Sequence, residues 1–191
     1  MNILCLDLEG VLIPEIWLKF ADKTGINELK LTTRDIEDYD ALMKYRMNVI
    51  ASHGLSLKDV QSVIHNIEPL NGAKDFIDWA KIYFQIVILS DTFYEFASPL
   101  MSKLGYPTLF CHKFETDAKG NFINYVLRQD NSKRIAVEAF HSMNYKVIAV
   151  GDSYNDISML KESDTGILFN STPNLISKFP QFDSFDTYKD L

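Results

Sequence analysis

The chain has 191 residues, 47% of them hydrophobic and 13% aromatic, which suffices for a real core and argues against disorder. Its formal net charge of −7 and pI near 5.0 count against nucleic acid and anionic membrane as partners, and no Lys/Arg run reverses that locally. There is no leader-like segment and no apolar stretch long enough to span a bilayer. Cys5 and Cys111 stand in apolar runs without metal or redox spacing, so a cytoplasmic protein is expected.

The first element is an apolar run, Asn2-Ile3-Leu4-Cys5-Leu6, that drives into Asp7-Leu8-Glu9-Gly10. A strand buried on both faces reads as a continuous hydrophobic run, and parallel sheets place their ligand crevice at the carboxyl ends of such strands. Two carboxylates at that edge are therefore candidates for chemistry. From Glu15 to Gly25 the apolar positions Ile16, Leu18, Phe20 and Ala21 predict a helix stopped by Gly25. A second helix, capped by Asp35 or by Thr32 or Thr33, is predicted through Leu42, Met43, Met47, Val49 and Ile50 to near Gly54. Ser56 and Asp59 form a capping-box pattern opening a third helix, which Pro69 ends. Residues 14–68 thus read as all-helical.

From Gly72 the rhythm alternates. A helix over 73–84 precedes the strand Ile86-Val87-Ile88-Leu89, which ends in Ser90-Asp91. A helix over 93–104, disturbed at Pro99, leads to a short strand over 108–111. Residues 114–117 and 122–127 flank a turn and predict a hairpin. A helix over 132–142, a strand over 146–150 ending in Gly151-Asp152, a helix over 154–162 and a strand over 166–169 follow. The tail from Pro173 has weak periodicity and is expected to wrap the surface. The pattern predicts an α/β fold: a doubly wound, mainly parallel Rossmann-like sheet with a small β-hairpin, its core formed by 1–13 and 69–191. The helical segment 14–68 would sit over the carboxyl edge as a cap.

Four strand ends or helix starts then offer reactive groups: Asp7 and Glu9; Ser90; Lys133; Asp152 with Asp156. Taken singly, each has an ordinary explanation as a cap, a turn or a solvated charge. Their coincidence at one sheet edge matches what phosphoryl transfer demands, namely an in-line nucleophile, charge neutralisation and a proton for the leaving oxygen. Asp7 can attack phosphorus to form an acyl phosphate. A divalent cation must offset the repulsion, and Mg2+ would take oxygens from Asp7, Asp152 and Glu9, the last through its backbone carbonyl or its carboxylate. Ser90 and Lys133 can hold the transferring oxygens. Glu9, two residues beyond Asp7 and so on the same side of a strand, can protonate the leaving alkoxide and then deprotonate the acceptor.

In order, Asp7-Leu8-Glu9-Gly10-Val11-Leu12, Ser90-Asp91-Thr92, Lys133 and Gly151-Asp152-Ser153-Tyr154-Asn155-Asp156 resemble the four motifs of the haloacid dehalogenase-like phosphatases. Ile157-Ser158-Met159-Leu160 is similar to the phosphoserine phosphatase branch. The strings Leu12-Ile13-Pro14-Glu15-Ile16-Trp17, Thr33-Arg34-Asp35-Ile36, Ser90-Asp91-Thr92-Phe93-Tyr94-Glu95-Phe96 and Phe179-Pro180-Gln181-Phe182 resemble its bifunctional phosphoserine phosphatase/homoserine phosphotransferase members.

This resemblance covers essentially the whole chain. It implies hydrolysis of phosphoserine and transfer of its phosphoryl group to homoserine, with Mg2+ as cofactor. By position it makes Asp7 the nucleophile, Glu9 the acid/base and Asp152 a Mg2+ ligand. Asp156 would stand behind the metal site, holding Lys133 or a metal-bound water, and Asn155 would contact phosphate. Arg46 would take the substrate carboxylate, for which a guanidinium is chemically apt, and Glu15 the ammonium. Two departures stand out. Most relatives carry Asp-x-Asp where this chain has Asp7-x-Glu9, and phosphoserine phosphatases carry Ser-Gly-Gly where it has Ser90-Asp91-Thr92, which sets Asp91 and Thr92 beside the substrate. A plain phosphomonoesterase of the same superfamily and a phospho-accepting receiver remain alternatives, the receiver disfavoured by the helical insertion and the late Gly-Asp motif. Small molecules are the expected partners, and assembly as a homodimer stays open.

Overall fold

The computed structural model describes the chain from Met1 to Leu191 apart from Thr33, Arg34 and Glu37, so one cap candidate and part of one family-like string lie outside the described residues. The strands are β1 (Asn2–Leu6), β2 (Gln85–Phe93), β3 (Thr108–Thr116), β4 (Phe122–Val126), β5 (Lys146–Gly151), β6 (Thr165–Phe169) and β7 (Asp183–Phe185). They form one sheet in the order β4-β3-β2-β1-β5-β6-β7, parallel throughout except for the β3–β4 hairpin. The α-helices are α1 (Ile16–Thr24), α2 (Tyr39–Ser52), α3 (Leu57–Ile64) and α4 (Ala73–Ala80), all between β1 and β2, then α5 (Tyr94–Met101), α6 (Ser132–Ser142), α7 (Ile157–Glu162) and α8 (Pro173–Lys178).

Alternation along the strands divides the core into two layers. Ile3, Cys5, Val87, Leu89, Val147 and Ala149 pack with Val137 and Phe140 of α6 and Met159 and Leu160 of α7. Leu4, Leu6, Ile86, Ile88 and Val150 face the other way, onto Ile77 of α4 and Phe96 and Leu100 of α5, in a cluster that continues into α1, α2 and α3. Helices on both faces define a doubly wound sheet. Its strand order reverses at β1, so the crevice opens where β1 and β5 end, beside Asp7 and Asp152.

Several boundaries differ from expectation for identifiable reasons. Asp38 caps α2, accepting from Ala41 N at 2.6 Å, whereas Asp35 closes a turn by accepting from Thr32 N at 2.9 Å. The capping box at Ser56 and Asp59 forms as expected. However, α3 stops at Ile64, and Lys103 Nζ takes the carbonyls of His65 and Ile67, both at 2.8 Å. Pro99 stays inside α5. A proline frees the carbonyl four residues earlier, and here that carbonyl, of Glu95, accepts from Gln61 Nε2 of α3 at 2.8 Å, which joins the two helices. β2 runs on through Ser90-Asp91-Thr92 to Phe93, with a register shift against β3 between Leu89 and Phe93. The tail contributes α8 and the edge strand β7, and the Tyr188 hydroxyl donates to the carbonyl of Val11. Among the described residues no helix is long and apolar enough to cross a membrane.

Candidate active site

β1 closes at Leu6, so Asp7 is the first residue beyond the sheet and its side chain turns into the crevice, buried. Oδ1 of Asp7 accepts from Leu8 N at 2.7 Å and from Lys133 Nζ at 2.9 Å. Lys133, in the first turn of α6, is also buried and lies 2.7 Å from Oδ1 of Asp156. Asp156 is fully buried, and its Oδ2 accepts from the N–H groups of Asp152 and Ser153 at 3.0 and 3.1 Å. It thus ties the turn after β5 to the lysine.

Asp7, Asp152 and Asp156 each bring one carboxylate oxygen within 4.8 Å of the others. Close packing enforces this arrangement. Gly10 has φ +80°, and a Cβ there would meet Asp152 Cγ at 2.4 Å; at Gly151 it would meet Asp156 Cβ at 2.4 Å. The carbonyl of Asp152 accepts from Ser171 Oγ of the tail at 2.8 Å.

Charge in this cluster is out of balance. Lys133 is raised well above the usual lysine value: burial alone would lower it, but Asp156, Asp7 and Asp91 outweigh burial, so it is an ammonium. Asp7 is raised well above the usual carboxylate range by burial and by Asp156, against the pull of Lys133. Asp152 is raised to about 7 by burial, then by Asp156 and Glu15. Three crowded carboxylates with one ammonium lack positive charge. An all-oxygen donor set of this kind suits a hard divalent cation such as Mg2+, so the residues fit the metal.

Glu9 goes elsewhere. The strand does not extend to it; it forms an isolated bridge with Ile13, and its Oε2 accepts from Ile16 N at 2.8 Å. Its side chain is not one of the clustered carboxylates, which include Asp156 instead. Burial and then the neighbouring Glu15 raise Glu9 to about 8, opposed by bonds from Ile16 N and Thr92. Arg46 of α2 is buried, with its guanidinium carbon 4.5 Å from the Trp17 ring centroid. Its Nη2 donates to Leu31 O at 2.9 Å, whereas its Nε has no hydrogen-bond partner among the described residues. Burial lowers its pKa, against support from Glu9, Tyr39 and Glu15. Glu15, at the exposed start of α1, completes this second group.

The register shift in β2 leaves Ser90 and Thr92 buried and Asp91 facing the crevice. Ser90 Oγ accepts from Thr92 N at 3.2 Å. Asp91 Oδ2 accepts from Asn155 Nδ2 at 2.9 Å and lies 3.8 Å from Lys133 Nζ. Asp91 thereby joins the lysine cluster, which sequence alone does not suggest. Two further residues, Tyr39 and His112, line with Asp91 and Lys133 a cavity of about 370 Å³. Neither falls at a strand end or in a motif. A buried histidine on β3 reads from sequence as core.

A doubly wound sheet bearing this acid–lysine cluster at the ends of β1 and β5 is the architecture of a known hydrolase class. The chain belongs to the haloacid dehalogenase-like hydrolases, whose family model matches residues 1–164. It is 58% identical, over its full length and 93% of the relative's, to the phosphoserine phosphatase ThrH of Pseudomonas aeruginosa. It is 56% identical over its full length, and 81% of the relative's, to a phosphoserine phosphatase of Pseudomonas syringae pv. tomato. Among solved structures, a phospho-aspartyl intermediate analogue of phosphoserine phosphatase shares the fold, with TM-score 0.75 and 20% identity, covering 96% of this chain and 91% of the other.

Proposed function

We propose that the chain is a Mg2+-dependent phosphoserine phosphatase that also transfers the phosphoryl group to homoserine. The observation that carries this reading is the buried cluster in which Lys133 joins Asp7 to Asp156, with Asp152 beside them. The names of the two Pseudomonas relatives support the substrate.

Asp7 is the nucleophile. Leu8 N and Lys133, both on Oδ1, orient its carboxylate to attack phosphorus and form an acyl phosphate. Lys133 neutralises the transferring oxygens, and Ser90 with the N–H groups around it holds them; Asn155 contacts the phosphate. When bound, Mg2+ supplies the missing positive charge, held by Asp7 and Asp152 with the backbone carbonyl of Glu9. Asp156 keeps Lys133 and the Asp152 turn in place. Burial and the neighbouring Glu15 hold Glu9 well above the usual carboxylate range, which favours its protonated form. It gives that proton to the departing serine oxygen, then takes one from the acceptor that attacks the acyl phosphate.

Residues 14–68 act as a cap over the carboxyl edge, on the core of 1–13 and 69–191. From the cap, the buried Arg46 with its free Nε receives the substrate carboxylate, and Glu15 the ammonium. The same groups hold homoserine in place of water, so the cap sets the choice of acceptor.

The test is product analysis with phosphoserine and Mg2+, with and without homoserine. The reading expects free phosphate alone and phosphohomoserine when homoserine is added. No turnover of phosphoserine would overturn it; phosphate as the sole product in both reactions would overturn the transfer half.

A further inference from the structure

Lys133 faces three carboxylates at unequal distances. Asp156 and Asp7 stand at 2.7 and 2.9 Å, and Asp91 at 3.8 Å. Asp91 is the odd member, since it belongs to neither β1 nor the turn after β5. Left to Coulomb attraction alone, its carboxylate would close on the ammonium and compete with Asp7 for it.

Other groups restrain it. Oδ1 of Asp91 faces the Ser132 hydroxyl at 3.4 Å and Nε2 of His112 at 3.6 Å, while Oδ2 takes Asn155 Nδ2 at 2.9 Å. His112 is buried on β3, its backbone in register with Phe93 of β2. Its Nδ1 accepts from the backbone N–H of Arg128 at 3.0 Å, so the ring proton sits on Nε2, the nitrogen turned to Asp91. The chain thus fixes both the tautomer and the direction of this imidazole.

We propose that His112 is a positioning residue: it draws the Asp91 carboxylate away from Lys133, so that the ammonium stays committed to Asp7 and to the transferring phosphoryl group. The inference rests on the phosphoryl-transfer reading above and adds to it a residue outside every motif. Asp91 then serves a second purpose, since the oxygen left free of His112 holds Asn155 at the crevice.

Two substitutions separate this role from a merely structural one. His112→Asn keeps an acceptor near the Nδ1 position for Arg128 N and removes the donor to Asp91. His112→Gln keeps a donor near the Nε2 position and removes the acceptor. The inference expects kcat/KM for phosphoserine to fall about tenfold in His112→Asn, with thermal stability retained. His112→Gln should keep most of the activity, and adding His112→Asn to Asp91→Asn should cost nothing further. Equal activity of His112→Asn and wild type, or equal loss in both variants, would overturn it.

A failure of the functional reading is recognised separately, because wild type would then not turn over phosphoserine. In that case imidazole ¹⁵N spectra of the full chain still decide. A bare Nδ1, with a protonated Nε2 whose signal moves in Asp91→Asn, is expected. A protonated Nδ1, or no response to Asp91→Asn, would overturn the inference.

Discussion

The ammonium of Lys133 lies 2.9 Å from Oδ1 of Asp7, although one residue follows β1 and the other opens α6. This contact spans the point where the sheet order reverses, and both partners are buried. Among the described residues Lys133 is also the one cation paired with the clustered carboxylates, so removing it has two separable consequences.

Lys133→Met should destabilise the fold by about 3–5 kcal/mol, because it leaves Asp7 and Asp156 buried without their counter-charge. Turnover should be lost as well. Denaturant titration checks the first effect, and adding Asp156→Asn should recover part of the stability while leaving activity absent. Unchanged stability in Lys133→Met would mean the cluster is solvated and the charge argument fails.

Gly10 and Gly25 provide a matched pair. Both have positive φ, +80° and +74°, but only at Gly10 would a Cβ strike another residue, Asp152. Each alanine substitution should cost about 1–2 kcal/mol of backbone strain. Only Gly10→Ala should also displace Asp152. Wild type and Gly25→Ala should therefore show a rise in Tm on adding Mg2+, and Gly10→Ala little or none. Thermal scans with and without the ion read this directly.

Arg46→Ala should raise KM for phosphoserine roughly 10- to 100-fold, the worth of a lost charge-assisted pair. A phosphomonoester lacking a carboxylate should be affected far less. Steady-state kinetics with both substrates provides the check, and equal effects would remove Arg46 from substrate recognition.

Much of this was legible in the sequence, because strand ends in a doubly wound sheet are marked by abrupt changes from apolar to charged residues. Leu6-Asp7 and Val150-Gly151-Asp152 are such changes, and they place two clustered carboxylates correctly at the crevice. The helix over 132–142 and the Ser56–Asp59 capping box were legible for the same reason, being local signals. What escaped depends on distant partners. Spacing from Asp7 puts Glu9 on a strand, but the chain turns at Gly10 and hands its carboxylate to Ile16 N. The cap of α2 is Asp38 and not Asp35, because the two are equally good cap residues and only the turn at Thr32 decides between them. The strand in the tail has no alternating pattern, since β7 is three residues long and rests on one neighbour. The contact of Asp91 with Lys133, and of His112 with Asp91, has no sequence signature.

The central claim is that Asp7 carries the phosphoryl group between donor and acceptor. It is tested most directly by acid-quenching the enzyme during turnover of phosphoserine with Mg2+ and mapping the peptide that has gained a phosphoryl group. The account predicts the modification on Asp7 in wild type, its loss on a chase with homoserine or water, and neither modification nor product in Asp7→Asn. A phosphorylated residue other than Asp7, or an Asp7→Asn variant that still releases phosphate, would contradict it.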